Sequence, residues 1–269
     1  MSWLRCVTAI SLLLALVACA RPDAATTSEA APPIPSRVVD LSPAITPDLP
    51  LRVWGRELLR RTGFAETTSF EDFVRRPPSE GSWEGFVTNS SWTLMNHGGA
   101  HVDGPNHLFE GAPSVADYPL TQLIGPLKVI DARSQAQNEP IPKSFLEGHG
   151  ILPGDIVLLY VGYVAPERDG DLPRYAYLSG EAAEYLAAIP VRAFATDAWS
   201  VDSPPRDDRA RGGPVVHAAF LPRGIPTIEQ LVNVQALLAE RAMVFVGFPL
   251  KVTGVSGNGS PIRAAALIY

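Results

Sequence analysis

The segment 96–107, "NHGGAHVDGPNH", holds three of the five histidines of the chain, His97, His101 and His107, together with Asp103. Imidazole nitrogens and a carboxylate, with no cysteine among them, are the donors that suit Zn2+, Mn2+ or Fe2+. The chemistry open to such a dozen is therefore the capture of a divalent cation. All four residues carry odd numbers, so an extended strand would point them to one face. A helix would also align His97 with His101, as in H-E-x-x-H metalloproteases, but Gly98 stands where the glutamate is required and two adjacent glycines disfavour a helix. A straight strand does not suffice either. Six residues would separate His97 from Asp103 by roughly 20 Å, whereas donors bond a shared metal at about 2.0–2.2 Å. The chain must bend between them, and Gly98 and Gly99 supply the backbone freedom for it. His101 and Asp103 converge from one face, and Gly104–Pro105 turns the chain so that His107 looks back at the same point.

The elements that position this dozen follow from the apolar patterning. Short runs rich in β-branched residues, "RVVDL" at 37–41, "LKVIDA" at 127–132, "DIVLLYVG" at 155–162 and "AMVFVGF" at 242–248, have the length of strands. "SGEAAEYLAAI", from Ser179, predicts a helix with a serine cap and acidic residues in its first turn. "TIEQLVNVQALLAER", from Thr227, follows Pro226 and carries a Thr227–Gln230 capping-box spacing that also predicts a helix. Ser69 is placed to cap a short helix at "FEDFVRR", ended by Pro77 and Pro78. Strands outnumber helices and the two are interspersed, with no internal repeat. The expectation is one mixed α/β domain over residues 37–269.

With these residues in view, "HGGAHVDGPNH" resembles the H-x-G-T-H-x-D-x-P-x-H signature of the cyclase superfamily, which includes bacterial kynurenine formamidases and isatin hydrolases; Ala100 stands where the family usually has threonine. The likeness extends to "VVDLSPAITPDLP", "GDIVLLYVGY", "LSGEAAEYLA" and "FATDAWSVDSP", and "HAAFLPRGIPTIE" is similar to the segment that carries the family's later His and Glu ligands. The resemblance implies a swivelling β/β/α fold around a mixed sheet. It implies that His97, His101 and Asp103 hold one metal and that Asp103, His217 and Glu229 complete a second position, with Zn2+ or Mn2+ as the ion. A carboxylate has two oxygens and can bridge, which makes Asp103 the shared residue. A metal in such a setting lowers the pKa of a bound water towards about 7, generating a hydroxide able to attack a formamide or cyclic amide carbonyl. His107 matches the family's catalytic histidine, which takes the water's proton and returns it to the leaving nitrogen. The resemblance thus implies an arylformamidase-like amidohydrolase, the alternatives being an isatin hydrolase or lactone-opening enzyme and a non-catalytic metal-binding envelope lipoprotein. The family's aromatic substrate-binding position aligns with Arg52, with Trp54 two residues on. His149 matches nothing and reads as a surface loop residue, and Asp197 and Asp202 read as turn caps ahead of site residues.

The N-terminus is built differently. Arg5 precedes the apolar run "VTAISLLLALVA", which has the length of a secretory h-region, and Leu16-Val17-Ala18-Cys19 resembles a bacterial lipobox. Residues 1–19 are expected to be a lipoprotein signal peptide with Cys19 lipidated, and the Ala/Pro-rich residues 20–36 a flexible tether. The protein would then lie in the bacterial cell envelope, anchored by lipid on the periplasmic side. Cys6 leaves with the signal, so no disulfide supports the domain and a hydrophobic core must. The net charge of −6 excludes nucleic acid as the natural partner. A small aryl amide or lactam is the expected substrate, and a homo-oligomer is expected by family analogy.

Overall fold

The computed structural model describes residues 33–49, 54–62, 69–75, 87–168, 170–205 and 213–269. The expected signal peptide, Cys19 and nearly all of the tether lie outside them, as does Arg52. The chain from Ile34 to Tyr269 forms one unit. In chain order its strands are β1 (Arg37–Asp40), β2 (Ser69–Arg75), β3 (Val87–Thr93), β4 (His101–Asp103), β5 (Ile124–Asp131), β6 (Pro140–Ile141), β7 (Ile156–Tyr160), β8 (Tyr177–Leu178), β9 (Ala193–Thr196), β10 (Thr227–Glu229), β11 (Met243–Val246), β12 (Gly259–Pro261) and β13 (Ala265–Ile268). The helices are α1 (Arg56–Thr62), α2 (Lys143–Glu147), α3 (Gly180–Ala188) and α4 (Val215–Phe220).

Nine strands share one mixed sheet in the order β1-β13-β11-β5-β7-β9-β10-β4-β12. The centre, β5-β7-β9-β10, is parallel and both flanks are antiparallel. The reason the central runs are apolar without alternation is visible in β7: Ile156 and Leu158 enter the core on one face, while Val157 and Leu159 enter a second core on the other. A strand covered on both sides has no wet face to mark with polar residues. The second core is closed by the helices, where Leu186 of α3 and Val216 and Phe220 of α4 pack on the sheet and Phe194 of β9 stacks on Phe220 at 5.1 Å. Ser179 caps α3 as expected, its hydroxyl accepting from the Ala182 amide at 3.1 Å. The four apolar runs form β1, β5, β7 and β11.

Two expected helices are strands. Thr227–Glu229 is β10, buried at all three residues between β9 and β4, and Gln230 and Asn233 take left-handed φ of 61° and 59° that no helix can follow. The capping-box spacing is local, and it yields to two ladders of strand pairing; the remainder of the segment supplies only a 3-10 turn at Val234–Leu237. Ser69–Arg75 is β2, paired antiparallel with β3 in register from Ser69–Thr93 to Arg75–Val87. A helix that short pays its nucleation for few hydrogen bonds, whereas a partner strand satisfies the segment along its whole length. Pro77 and Pro78 lie outside the described residues.

Candidate metal centre

The site is assembled by sheet register. β4 lies antiparallel between β10 and β12, so that His101 faces Glu229 and Asp103 faces Thr227 on one side, while Gly259 faces Asp103 on the other. Directly opposed residues present their side chains to the same face. His101 Nε2 accordingly lies 3.4 Å from Glu229 Oε2 and 3.3 Å from Asp103 Oδ1, and the Thr227 hydroxyl donates to Asp103 Oδ2 at 2.7 Å.

His97 reaches the same point from the preceding turn. Gly98 N–H bonds the Met95 carbonyl, and Gly99 adopts φ +75°, which a side chain would resist. Gln230 locks this turn: its Oε1 accepts from Gly99 N at 2.9 Å and its Nε2 donates to the His97 and Trp199 carbonyls, both at 3.2 Å. His97 Nδ1 ends 2.8 Å from Asp103 Oδ1. After Asp103 the chain turns through a 3-10 segment, Pro105–His107, and the His107 ring comes within 4.2 Å of the His97 ring and 5.5 Å of the His217 ring. His217 is buried on α4, with Nε2 at 3.3 Å from Asp103 Oδ2 and 3.4 Å from Glu229 Oε1. Its Nδ1 donates to Asp202 Oδ2 at 2.5 Å, while Asp202 Oδ1 accepts the Val216 amide at 2.6 Å. Asp202 thus caps α4 and aims His217 at once. Glu229 is held by the Val201 amide and the Ser200 hydroxyl.

All the residues singled out in the sequence therefore meet: His97, His101, Asp103, His107, His217 and Glu229. The donor atoms of His97, Asp103 and His107 lie within 4.8 Å of one another, as do those of His101, Asp103 and Glu229, so that two groups able to hold a metal share Asp103. The donor set fits a cation on further grounds. His101 Nε2 and Asp103 Oδ1 are buried without a hydrogen-bond partner, a desolvation cost that a bound ion would remove. His101 Nδ1 donates to the Gly99 carbonyl at 2.8 Å, which leaves Nε2 as the nitrogen with a lone pair, facing two carboxylates.

The electrostatics say the same. Burial alone would lower the His101 pKa, but the charge of Asp103 and close contact with the Asp103 and Glu229 carboxylates raise it to about 10. His217 is likewise lifted well above its ordinary value, burial being outweighed by bonds to Asp103 and Asp202. Asp103, which burial would raise, is held well below the carboxylate range by the His101 charge and by close contact with the His101, His217 and His97 rings. Without a metal, protons supply the positive charge these carboxylates demand. His107 is shifted the other way, its pKa lowered chiefly by loss of water around the ring.

The cluster lies at the floor of a cavity of about 790 Å³. His97, His107, His217 and Glu229 form its polar side, and Trp54, Met95 and Trp199 its apolar wall, with the two indoles edge to face at 5.8 Å. Such volumes accommodate small organic ligands. Trp54 is buried in this wall. His149 lies in the turn after α2, bonded to the Phe145 carbonyl, and takes no part in either donor group. Asp197 accepts the Val161 and Tyr163 amides, 36 and 34 positions away, and so ties a remote loop instead of capping a turn of its own. Thr227 and Gln230 were legible only as helix signals, and Asp202 only as a cap; no local pattern marks a residue that acts through another 15 or 130 positions away.

A mixed α/β sheet presenting a buried histidine–carboxylate cluster to an aromatic-walled cavity defines a class of metal-competent domain. The family model described as "Putative cyclase" matches residues 39–203, and the chain belongs to that family. The match includes His97, His101, Asp103, His107 and Asp202, while His217 and Glu229 lie beyond it. Among curated relatives, the kynurenine formamidase of Maricaulis maris (strain MCS10) is 26% identical over 229 residues, covering 85% of this chain and 97% of that one. The kynurenine formamidase of Delftia acidovorans (strain DSM 14801 / SPH-1) is 28% identical over 180 residues, covering 66% and 79%. Among solved structures, isatin hydrolase A from Ralstonia solanacearum superposes with a TM-score of 0.62 at 23% identity, covering 87% and 92%. An isatin hydrolase bound to the product analogue thioisatinate gives 0.66 at 21%, covering 86% and 92%. These superpositions show the fold that the chain shares.

Proposed function

We propose that this chain is a metal-dependent hydrolase of the arylformamidase and isatin hydrolase type, which cleaves the C–N bond of an aryl formamide or a cyclic aryl amide. The observation that carries the reading is the convergence of three imidazoles and two carboxylates on one point beneath an aromatic cavity, with His101 Nε2 and Asp103 Oδ1 buried and unpartnered. By the family resemblance, His97, His101 and Asp103 would hold one divalent cation, Zn2+ or Mn2+, and Asp103, His217 and Glu229 would complete a second position, a partition that differs from the two close donor groups in leaving His107 free for proton transfer. When bound, the cation supplies a Lewis acid that lowers the pKa of water and polarises the substrate carbonyl.

The remaining chemistry belongs to the side chains. His107 is exposed towards the cavity and its lowered pKa keeps it neutral at pH 7. It accepts the proton of the attacking water and delivers it to the nitrogen as the C–N bond breaks and the C–O bond forms. Trp54 and Trp199 offer the aryl group an apolar wall, which also displaces water from the reacting centre. N-formylkynurenine and isatin are the first substrates to assay, before and after chelation and with Zn2+ or Mn2+ restored. Protein that is inert on formamides, isatin and lactones with metal restored would overturn the reading. His107→Ala should lower turnover by about 10²–10⁴-fold and leave metal content near that of the parent, which separates a proton-transfer role from ligation.

We further propose, from the lipobox-like Leu16–Cys19, that the domain is held in the cell envelope by lipid on Cys19 through the 20–36 tether, and, by analogy with the family, that it works as a homo-oligomer. Incorporation of a fatty-acid label that Cys19→Ser abolishes, and light scattering on the soluble domain, check the two parts.

A further inference from the structure

Three imidazoles of the cluster, those of His97, His101 and His217, have one nitrogen turned inward and one tied to an acceptor outside. For His101 the outer acceptor is the Gly99 carbonyl and for His217 it is Asp202. For His97 it is the side chain of Asn258, whose Oδ1 lies 2.9 Å from His97 Nε2. We propose that Asn258 is a positioning residue that selects Nδ1 of His97 as the nitrogen offered to the metal, an inference that rests on the metal-centre reading above.

With the amide oxygen turned to the ring, Nε2 carries a proton, and a bound cation would take the lone pair of Nδ1, the atom 2.8 Å from Asp103 Oδ1. Asn96 Nδ2 donates to the same oxygen at 2.5 Å; turning both amides together would exchange donor and acceptor and leave the ring proton on Nδ1, so the tautomer of His97 reads out the direction of Asn258. The backbone is constrained. The Asn258 carbonyl accepts the Gly104 amide at 2.9 Å, which fastens it to the end of β4. Its neighbours leave no space for a side chain: a Cβ on Gly257 would lie 2.2 Å from the Val252 carbonyl oxygen, and one on Gly259 would lie 2.4 Å from the His97 ring. The Gly257-Asn258-Gly259 stretch therefore brings a backbone against the flat of the His97 ring and an acceptor against its edge. Outer acceptors of this kind orient a ligating histidine and raise its basicity, and their loss typically costs about 10–100-fold in metal affinity.

The test is Zn2+ affinity, measured by competition with a chromophoric chelator on the full-length protein, beside thermal unfolding of the chelator-treated protein. Asn258→Ala is expected to weaken Zn2+ by about 10–100-fold while metal-free unfolding is little changed. Asn258→Asp, whose carboxylate accepts from both Asn96 and His97, is expected to restore affinity to within a few-fold of the parent. An Asn258→Ala protein that binds Zn2+ as tightly as the parent, or an Asn258→Asp protein as weak as the alanine variant, would overturn the proposal. Should the alanine variant not fold, a long-range 1H–15N spectrum of the Zn2+-loaded parent decides: a proton on Nε2 of His97 supports it, and a proton on Nδ1 defeats it. A parent protein that binds neither Zn2+ nor Mn2+ would instead remove the metal reading on which the inference stands.

Discussion

Asp103 shows how much a single side chain can organise. It is fully buried, receives Thr227 on one oxygen, and has imidazoles at 3.3 Å or less on both. A carboxylate in that position is tolerable only with positive charge around it. Asp202 is the quieter counterpart: it never faces the shared point, yet it fixes which nitrogen of His217 does. Asp202→Asn retains an acceptor for the Val216 amide but loses the charge that holds His217. It is expected to lower metal affinity by about 10–100-fold with α4 intact, as read by competition titration beside circular dichroism. The six converging residues were legible because three histidines and an aspartate in one glycine-rich dozen are hard to explain otherwise, and because the later His217 and Glu229 sit in a matching segment. Asp202, Gln230 and Asn258 were not, because their partners are remote in sequence and their types are commonplace in turns.

At the scale of elements, the strands with apolar runs and the Ser179-capped helix could be read directly, since burial on both faces leaves a simple record in composition. β10 could not. Its Thr227 and Gln230 mimic a capping box, and only the ladders with β9 and β4 show that Thr227 points at Asp103 rather than at a helix amide. Loop attachment has its own physics at Asp197, the end of β9, which bonds the Val161 and Tyr163 amides beyond β7. Burial, opposed by these backbone bonds, raises its pKa from 3.8 to about 6. Between those two pH values the folded protein holds a proton that the unfolded chain has lost, so stability falls as pH rises through that window and is flat above it. The loss is expected to be about 2–3 kcal/mol. A 13C carboxyl titration of Asp197 with its midpoint near 6, beside denaturant unfolding at pH 4 and pH 6, checks both the origin and the sign.

For the molecule as a whole, a ligand that binds only the native state adds to its stability, by about 4 kcal/mol at a concentration a thousandfold above Kd. Chelation is therefore expected to lower the Tm, and Zn2+ or Mn2+ to restore it. The pH dependence should differ between the two forms. His101, at about 10, and His217, also raised, lend the metal-free protein stability that is fully present below pH 6.5 and is lost as pH rises through their folded values. Scans of the chelated protein should show the Tm falling from pH 6.5 towards pH 9, and scans of the loaded protein should not. Finally, β12 flanks β4, and Gly259 of that strand packs on His97. Until the segment around Gly259 has been made and has paired with β4, the cradle lacks a wall beside that ring. A cation is therefore expected to be taken up by the folded domain and not by a nascent chain that has reached only the histidine-rich dozen.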